Sequence, residues 1–165
     1  MSTATLEAGL TSLRFARHMT MSLLDAIPEQ DWFHVPVDGG NHAAWIAGHV
    51  AWEDDDCLNS LVDGRGRKLP RRWHDTFATG TKPNSDPSAY PDIPELRAAL
   101  TAYREELIDS FKAAADRLAD PLPEGLHGFA KNLAAFMPAI ACHEMIHVGQ
   151  LTVIRKSLQL APVFC

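Results

Sequence analysis

Two histidines near the end of the chain have the spacing of metal ligands. His143 and His147 lie four residues apart in the sequence HEMIH. At this spacing both side chains project from one face of a helix, and apolar neighbours on that face offer no hydrogen bonds to the four ring nitrogens. A divalent metal would satisfy one nitrogen of each ring, so the pair predicts a metal site. The alternative is a pair of core histidines satisfied by other side chains.

HEMIH also fits H-E-x-x-H, the helix pattern of zinc proteases, in which the glutamate activates a water molecule. The rest of the sequence argues against a protease. No Asp or Glu follows Glu144 and no His follows His147, so the third ligand expected downstream is missing. Gln150 and Val153 stand where the longer pattern H-E-x-x-H-x-x-G-x-x-H requires Gly and His. Glu144 lies about 100° around the helix from His143, which predicts a solvated side chain.

An upstream segment, NHAAWIAGHVAWEDDD, supplies a candidate third ligand. One helix face of this segment carries residues at steps of three and four, namely His42, Trp45, His49, Trp52 and Asp56. His49 is central, and Gly48 beside it allows another element to approach closely. Taken alone, His49 reads as a core histidine, but opposite the HEMIH pair it becomes the natural third ligand. His42 lies about 10 Å along the helix axis from His49, too far to join the same site.

The elements that must position these residues are four amphipathic helices. Apolar residues recur at helical spacing over residues 5–27, 42–62, 92–118 and 131–159. Asn41 and Asp92 are the expected caps of the second and third helices, and Pro138 either kinks the fourth or marks a later start. No alternating run indicates a sheet. The pattern predicts an all-α four-helix bundle of the up-down-up-down type, in one domain covering residues 1–165.

A connection of about 28 residues, 64–91, separates the second and third helices. It is longer than a simple loop in a compact domain, which suggests a role of its own. It begins with RGRKLPRR, which has five basic residues in eight, and continues to Trp73 and Phe77. The favoured interpretation is a solvated loop that balances the acidic run Glu53–Asp56, itself expected to be mostly solvated. The alternative is a lid whose arginines hold the carboxylates of an anionic thiol or substrate.

Composition narrows the classes of function. The chain has 165 residues and a net charge of −6, so nucleic acid is not an expected partner. The longest apolar run is far too short for a membrane span, and the first residues lack the pattern of a secretory signal. Cys57, Cys142 and Cys165 form an odd count without paired spacing, which indicates reduced thiols and a cytoplasmic location.

Three segments together resemble the DinB/YfiT-like superfamily of metal-dependent enzymes. They are AWIAGHVAWEDD, RRWHDTFATGTKP and HEMIHVGQLTVIRKSLQL. The resemblance implies a four-helix bundle, often a homodimer, with one divalent metal held by three histidines that map to His49, His143 and His147. Zinc and nickel both occur in such proteins. The better understood relatives are transferases and isomerases that depend on mycothiol, bacillithiol or glutathione.

Three imidazoles on a tetrahedral metal leave one position open, as in catalytic sites. The hypothesis is that water or a small thiol enters this position, loses its proton and attacks an electrophile. Gln150 is predicted either to orient a metal-bound water or a substrate carbonyl, or to be a core amide. Glu53 is an outer acceptor or a weak fourth ligand. Cys57 is expected to pack in the core or an interface, and Cys142 to point away.

A second class of function stays open at this stage. The chain could be a metal-binding helical homodimer without turnover, serving a structural purpose or acting as a sensor. A closed site with a protein group such as Glu53 as fourth ligand would favour this class, and an open position would favour a hydrolase-like or transferase-like enzyme.

Overall fold

A computed structural model describes residues 3–62, 64–84, 86–126 and 128–164. These residues form five α-helices and no strand beyond one isolated bridge between Pro121 and Asn132. The helices are α1 Thr3–Asp25, α2 Ala43–Leu61, α3 Arg71–Phe77, α4 Ile93–Ala113 and α5 Leu133–Ser157. Short 3-10 turns lie in the connections, at Glu29–Asp31, Pro87–Ala89, Ala115–Arg117 and Glu124–Leu126. No helix in the described segments is long and apolar enough to cross a membrane.

The predicted four long helices correspond to α1, α2, α4 and α5. Asp92 caps α4 as expected, since its carboxylate accepts a hydrogen bond from the Glu95 N–H at 2.7 Å. The prediction that this helix continues to Leu118 is wrong, because the chain tightens into a 3-10 turn after Ala113. This turn still buries Leu118, whose carbonyl accepts a hydrogen bond from Ala134 N–H at 2.9 Å.

One expectation about a helix start is corrected, and of the two alternatives for Pro138 the later start is excluded. His42 rather than Asn41 caps α2, with Nδ1 accepting a hydrogen bond from Trp45 N–H at 3.1 Å. α5 already begins at Leu133, capped by Asn132, and runs through Pro138 without a later start. The side-chain amide of Asn41 instead donates a hydrogen bond to Oε1 of Gln150 at 3.1 Å.

The connection 64–91 has a helix of its own. α3 packs on α2, and it buries the side chains of Trp73 and Phe77 at 1% and 0% exposure. Gly48 permits this approach, because a Cβ atom there would lie 2.1 Å from the Phe77 ring. The connection therefore contributes Trp73 and Phe77 to the core, and these side chains hold α3 against the helix that carries His49.

The long helices pack mainly in two pairs, α1 with α5 and α2 with α4. Two clusters of buried apolar side chains fill the space between them. One surrounds Trp32, Ile46, Phe77, Leu100 and Leu151, and the other surrounds Leu10, Leu13, Phe111, Phe136 and Met137. The candidate ligands on α2 and α5 lie among the aromatic residues of the first cluster.

Candidate metal centre

His49 is held in place from two sides. Its ring is only 3% exposed and stacks on Trp45, with centroids 4.7 Å apart and planes 11° apart. Its Nδ1 lies 2.7 Å from the carbonyl oxygen of Phe77 at the end of α3. Because a carbonyl only accepts, Nδ1 carries the proton, and the lone pair of the neutral ring is on Nε2.

His147 has the same arrangement with a side-chain partner. Its Nδ1 lies 3.0 Å from Oε1 of Gln150, which also accepts a hydrogen bond from the Asn41 side chain at 3.1 Å. The Asn41 donor assigns this atom of Gln150 as the oxygen, so the histidine donates through Nδ1. Nε2 of His147 is buried and has no hydrogen-bond partner among the described residues. Gln150 therefore contacts the Nδ1 side of the candidate ligand His147 and does not itself belong to the converging group.

His143 and Glu53 meet at the more open edge of the group. Nδ1 of His143 lies 2.6 Å from Oε2 of Glu53, and Oε1 of Glu53 lies 3.7 Å from Nε2 of His49. The carboxylate is therefore a partner of His143 Nδ1 by charge and distance, although the contact lacks the alignment of a hydrogen bond. We interpret the contact as a charge interaction between two groups that face the same space.

The three histidines and Glu53 converge. Each offers one ligand atom, and these four atoms all lie within 4.8 Å of one another. Nε2 of His147 is buried without a partner among the described residues, which is costly in an apolar core, and a metal ion would satisfy it. Three imidazoles and a carboxylate are a donor set suited to a borderline divalent metal such as zinc. The residues present therefore fit a divalent metal ion.

The local electrostatics keep two of the rings neutral. Burial lowers the pKa of His49 to about 4, assisted by its histidine neighbours and opposed by the Phe77 carbonyl. Burial also lowers the pKa of His147. Contact with Glu53 raises the pKa of His143, whereas burial raises that of Glu53 against the effect of His143. Neutral imidazole is the form that binds metals, so His49 and His147 are ready to bind without losing a proton.

The prediction that the side chain of Glu144 in HEMIH is solvated is wrong. Glu144 is 1% exposed and belongs to a cluster that we call the charged quartet, formed by Arg17 of α1, Asp54 of α2, Arg104 of α4 and Glu144 of α5. The Arg17 side chain lies 2.9 Å from Asp54 and 2.8 Å from Glu144. Arg104 lies 2.8 Å from Asp54 and 2.7 Å from Glu144. Burial alone would raise the pKa of Glu144, but the two arginines hold it below its ordinary value.

The expectation of a mostly solvated acidic run is wrong for Asp54 and Asp55, which are 1% and 0% exposed. Helical spacing directs Asp54 toward the arginines of α1 and α4. Asp55 instead accepts hydrogen bonds from Arg65 and from the backbone N–H groups of Lys68 and Leu69. Sequence reasoning missed Arg17 and Arg104, although each occupies an apolar-stripe position of its helix, and such positions hold charge only when it is paired.

The basic segment RGRKLPRR balances protein carboxylates, in agreement with the favoured interpretation. Arg65 binds Asp55 and Glu106, Lys68 binds Glu106, and Arg67 binds Asp56. The pairs farther along are Arg71 with Asp75 and Arg72 with Glu95. These side chains all have anionic partners within the chain, which removes the main support for an arginine lid.

The remaining candidates fall outside the ligand group. His42 contacts Tyr90 Oη and the Asn84 carbonyl oxygen through Nε2, both at 3.1 Å. Cys142 is exposed and Cys165 lies outside the described residues. Cys57 is partly buried on α2 and lines a cavity beside Glu53 and His143. The structure therefore separates His42 from the group and brings Cys57 near it.

Comparison with known proteins places the chain in a family. No curated protein matches the chain at a significant level. A family model described as the DinB superfamily matches residues 12–151, which include all four residues of the converging group and the whole charged quartet. Because the match covers most of the sequence, the chain belongs to the DinB superfamily.

Proposed function

We propose that this DinB-superfamily protein binds one divalent metal ion through His49, His143 and His147 and uses it to activate water or a small thiol. The observation that carries the proposal is the convergence of four potential ligand atoms within 4.8 Å, in a group where Nε2 of His147 is buried without a hydrogen-bond partner among the described residues. A reaction of the hydrolase or transferase type follows from this chemistry. Zinc and nickel are the metals that the resemblance favours.

A metal bound there would lower the pKa of a water molecule or thiol in its free position. The protein supplies orientation. The Phe77 carbonyl and the Gln150 amide fix the protons of His49 and His147 on Nδ1 and so present both Nε2 atoms. Glu53 stands where the site is most open, with a pKa raised by burial, and there it can accept the proton of an incoming donor.

Other parts of the proposal follow from the resemblance and the helix pattern. The four long helices form an up-down-up-down bundle, and the protein works as a cytoplasmic homodimer on a small thiol or electrophile. Cys57 and Cys142 are free thiols, in keeping with a reducing compartment.

Glu53 also favours a second candidate function. Its carboxylate reaches both His143 and the edge of His49, so it can close the metal site as a fourth ligand. A site closed in this way would be structural or would serve a sensor without turnover. The two functions differ in one property, which is whether an outside donor can bind the metal.

Elemental analysis of the purified chain tests the metal site. We expect near-stoichiometric divalent metal in the wild type, its loss in His49→Ala, and its retention in His18→Ala, which removes an exposed histidine. Absence of metal after reconstitution, or equal retention in His49→Ala, would contradict the proposal. On the cobalt-loaded protein, a change of the visible spectrum on adding 2-mercaptoethanol would indicate an open position, and no change would indicate the closed site.

A further inference from the structure

A cavity of about 310 Å³ opens beside the proposed metal centre. Glu53 and His143 lie on its wall, so it borders the most open edge of the ligand group. Most of the remaining wall is apolar and includes Trp52, Phe136 and Ile140, all buried, with the exposed ring of Phe129 beside them. A volume of this size lies within the range of small-molecule sites, about 300–1,000 Å³.

The charge of the cavity wall is one-sided. Among the described residues that line it, two carboxylates, Glu53 and Asp56, are present and no Lys or Arg. Arg67 of the loop contacts one of these carboxylates, Asp56, and is thereby already paired. Burial, together with the neighbouring carboxylates, raises the pKa of the Cys57 thiol well above its ordinary value. An anionic group placed here, away from the metal, would find no free cation among the described wall residues, because Arg67 is held by Asp56 and His143 by Glu53.

We propose that this cavity holds the body of the substrate, and that this body is an aromatic or branched-alkyl group that is uncharged or cationic. The donor atom would point toward Glu53 and His143, where the metal is proposed to lie. Only the orientation of the donor atom toward the metal rests on the proposed function. The apolar wall that would hold the rest of the substrate exists with or without a metal. The proposal narrows the substrate class, since a thiol whose body carries carboxylates, such as glutathione, has no counter-charge here.

The test compares three probes that differ only in the group at one end of a benzyl alcohol. They are 4-methylbenzyl alcohol, 4-(aminomethyl)benzyl alcohol, which is cationic, and 4-(hydroxymethyl)benzoate, which is anionic. Dissociation constants are measured by NMR titration of the metal-free full-length protein, so that the carboxylate gains nothing from a metal. We expect the neutral and cationic probes to bind and the anionic probe to bind at least about tenfold more weakly.

Two variants locate the binding. Ala139 lines the cavity, and Ala139→Phe should fill it and weaken the neutral probe at least about tenfold, whereas Ala135→Phe, one turn earlier on the exposed side of α5, should not. If Ala139→Phe fails to fold, Phe129→Ala decides the matter, because Phe129 is 62% exposed and its loss should weaken the probe without unfolding the protein.

Equal binding of the three probes would overturn the charge preference, and full binding to a folded Ala139→Phe, or unchanged binding to Phe129→Ala, would overturn the location. Because the titration needs no metal, its outcome is independent of the elemental analysis. Bound metal without probe binding would contradict the assignment of the cavity as a substrate site but support the proposed metal site. Probe binding without bound metal would support the cavity assignment and contradict the proposed metal site.

Discussion

The ligand group and the charged quartet are neighbours in sequence and opposites in chemistry. Glu53 precedes Asp54 on α2, and His143 precedes Glu144 on α5, so adjacent residues enter two different polar clusters. In the quartet, two arginines and two carboxylates balance each other's charge within the protein. In the ligand group, Nε2 of His147 is buried and has neither a hydrogen-bond partner nor an ion-pair partner among the described residues.

This difference separates a structural role from a ligand-binding role. A buried polar cluster that satisfies itself joins the elements that contribute to it, and the quartet takes one residue from each long helix. A buried cluster with unpaired atoms carries a desolvation cost that an external ligand can remove. The quartet thus fixes the helices whose neighbouring residues form the candidate metal site.

The largest expected effect comes from breaking the quartet. Glu144→Ala leaves Arg17 and Arg104 buried with half of their negative partners gone, and the free energy of unfolding should fall by about 3–5 kcal/mol. Urea denaturation measures this change. Glu105→Ala, which removes an exposed carboxylate of α4, should alter stability by less than about 0.5 kcal/mol. Equal effects of the two substitutions would mean that the quartet is not what holds the helices together.

Metal addition should act on the other cluster alone. At a free zinc concentration of 100 times the dissociation constant, wild-type unfolding should become less favourable by about 2.7 kcal/mol. His49→Ala should show little or none of this stabilisation, because one ligand is missing, whereas His18→Ala should behave as wild type. Thermal or urea unfolding with and without zinc measures the difference. Full stabilisation of His49→Ala would place the metal elsewhere.

The contact behind His147 should have an intermediate effect. Gln150→Leu removes the acceptor of the His147 Nδ1 proton, and loss of such an outer contact typically weakens metal affinity about 10–100-fold. Competition with a chromogenic chelator measures this affinity. Gln150→Glu keeps an acceptor oxygen at the same position and should restore most of the binding. If Gln150→Leu binds metal as tightly as wild type, the amide does not orient the ligand.

Sequence reasoning predicted which histidines converge better than it predicted the groups that support them. The i,i+4 pair His143 and His147 and the central position of His49 depend on local helical spacing, which a sequence shows directly. The charged quartet depends on which helix faces meet in the folded protein, and its members are far apart in the sequence. Arg17 and Glu144, for example, are separated by 127 residues. The support of His49 is the backbone carbonyl of Phe77, an atom that no side-chain pattern can indicate. For the same reason α3 was not predicted, because a seven-residue helix has too few turns to show periodicity.

The smallest expected effect concerns Glu106, a carboxylate that is paired with basic side chains like those of the quartet but is only partly buried. Hydrogen bonds from Arg65 and Lys68 lower the pKa of Glu106 from 4.5 to about 2. The unfolded chain therefore takes up this proton at higher pH than the folded protein, so the pair contributes fully above about pH 4.5 and its contribution is lost as the pH falls through about 2. Because the Glu106 side chain is 34% exposed, screening should limit the effect to roughly 0.5 kcal/mol.

Unfolding free energies of wild type and Glu106→Gln at pH 6 and at pH 2.5 check this sign. The wild type should be more stable at pH 6, and the difference should shrink at pH 2.5, while Glu105→Gln should show no such pH-dependent difference. A difference that grows on acidification would mean that Glu106 is bound as its protonated form. If Glu106→Gln lowered the free energy of unfolding by the several kcal/mol expected for Glu144→Ala, a partly exposed ion pair would stabilise the protein as much as the buried quartet. The proposed difference between the two would then be wrong.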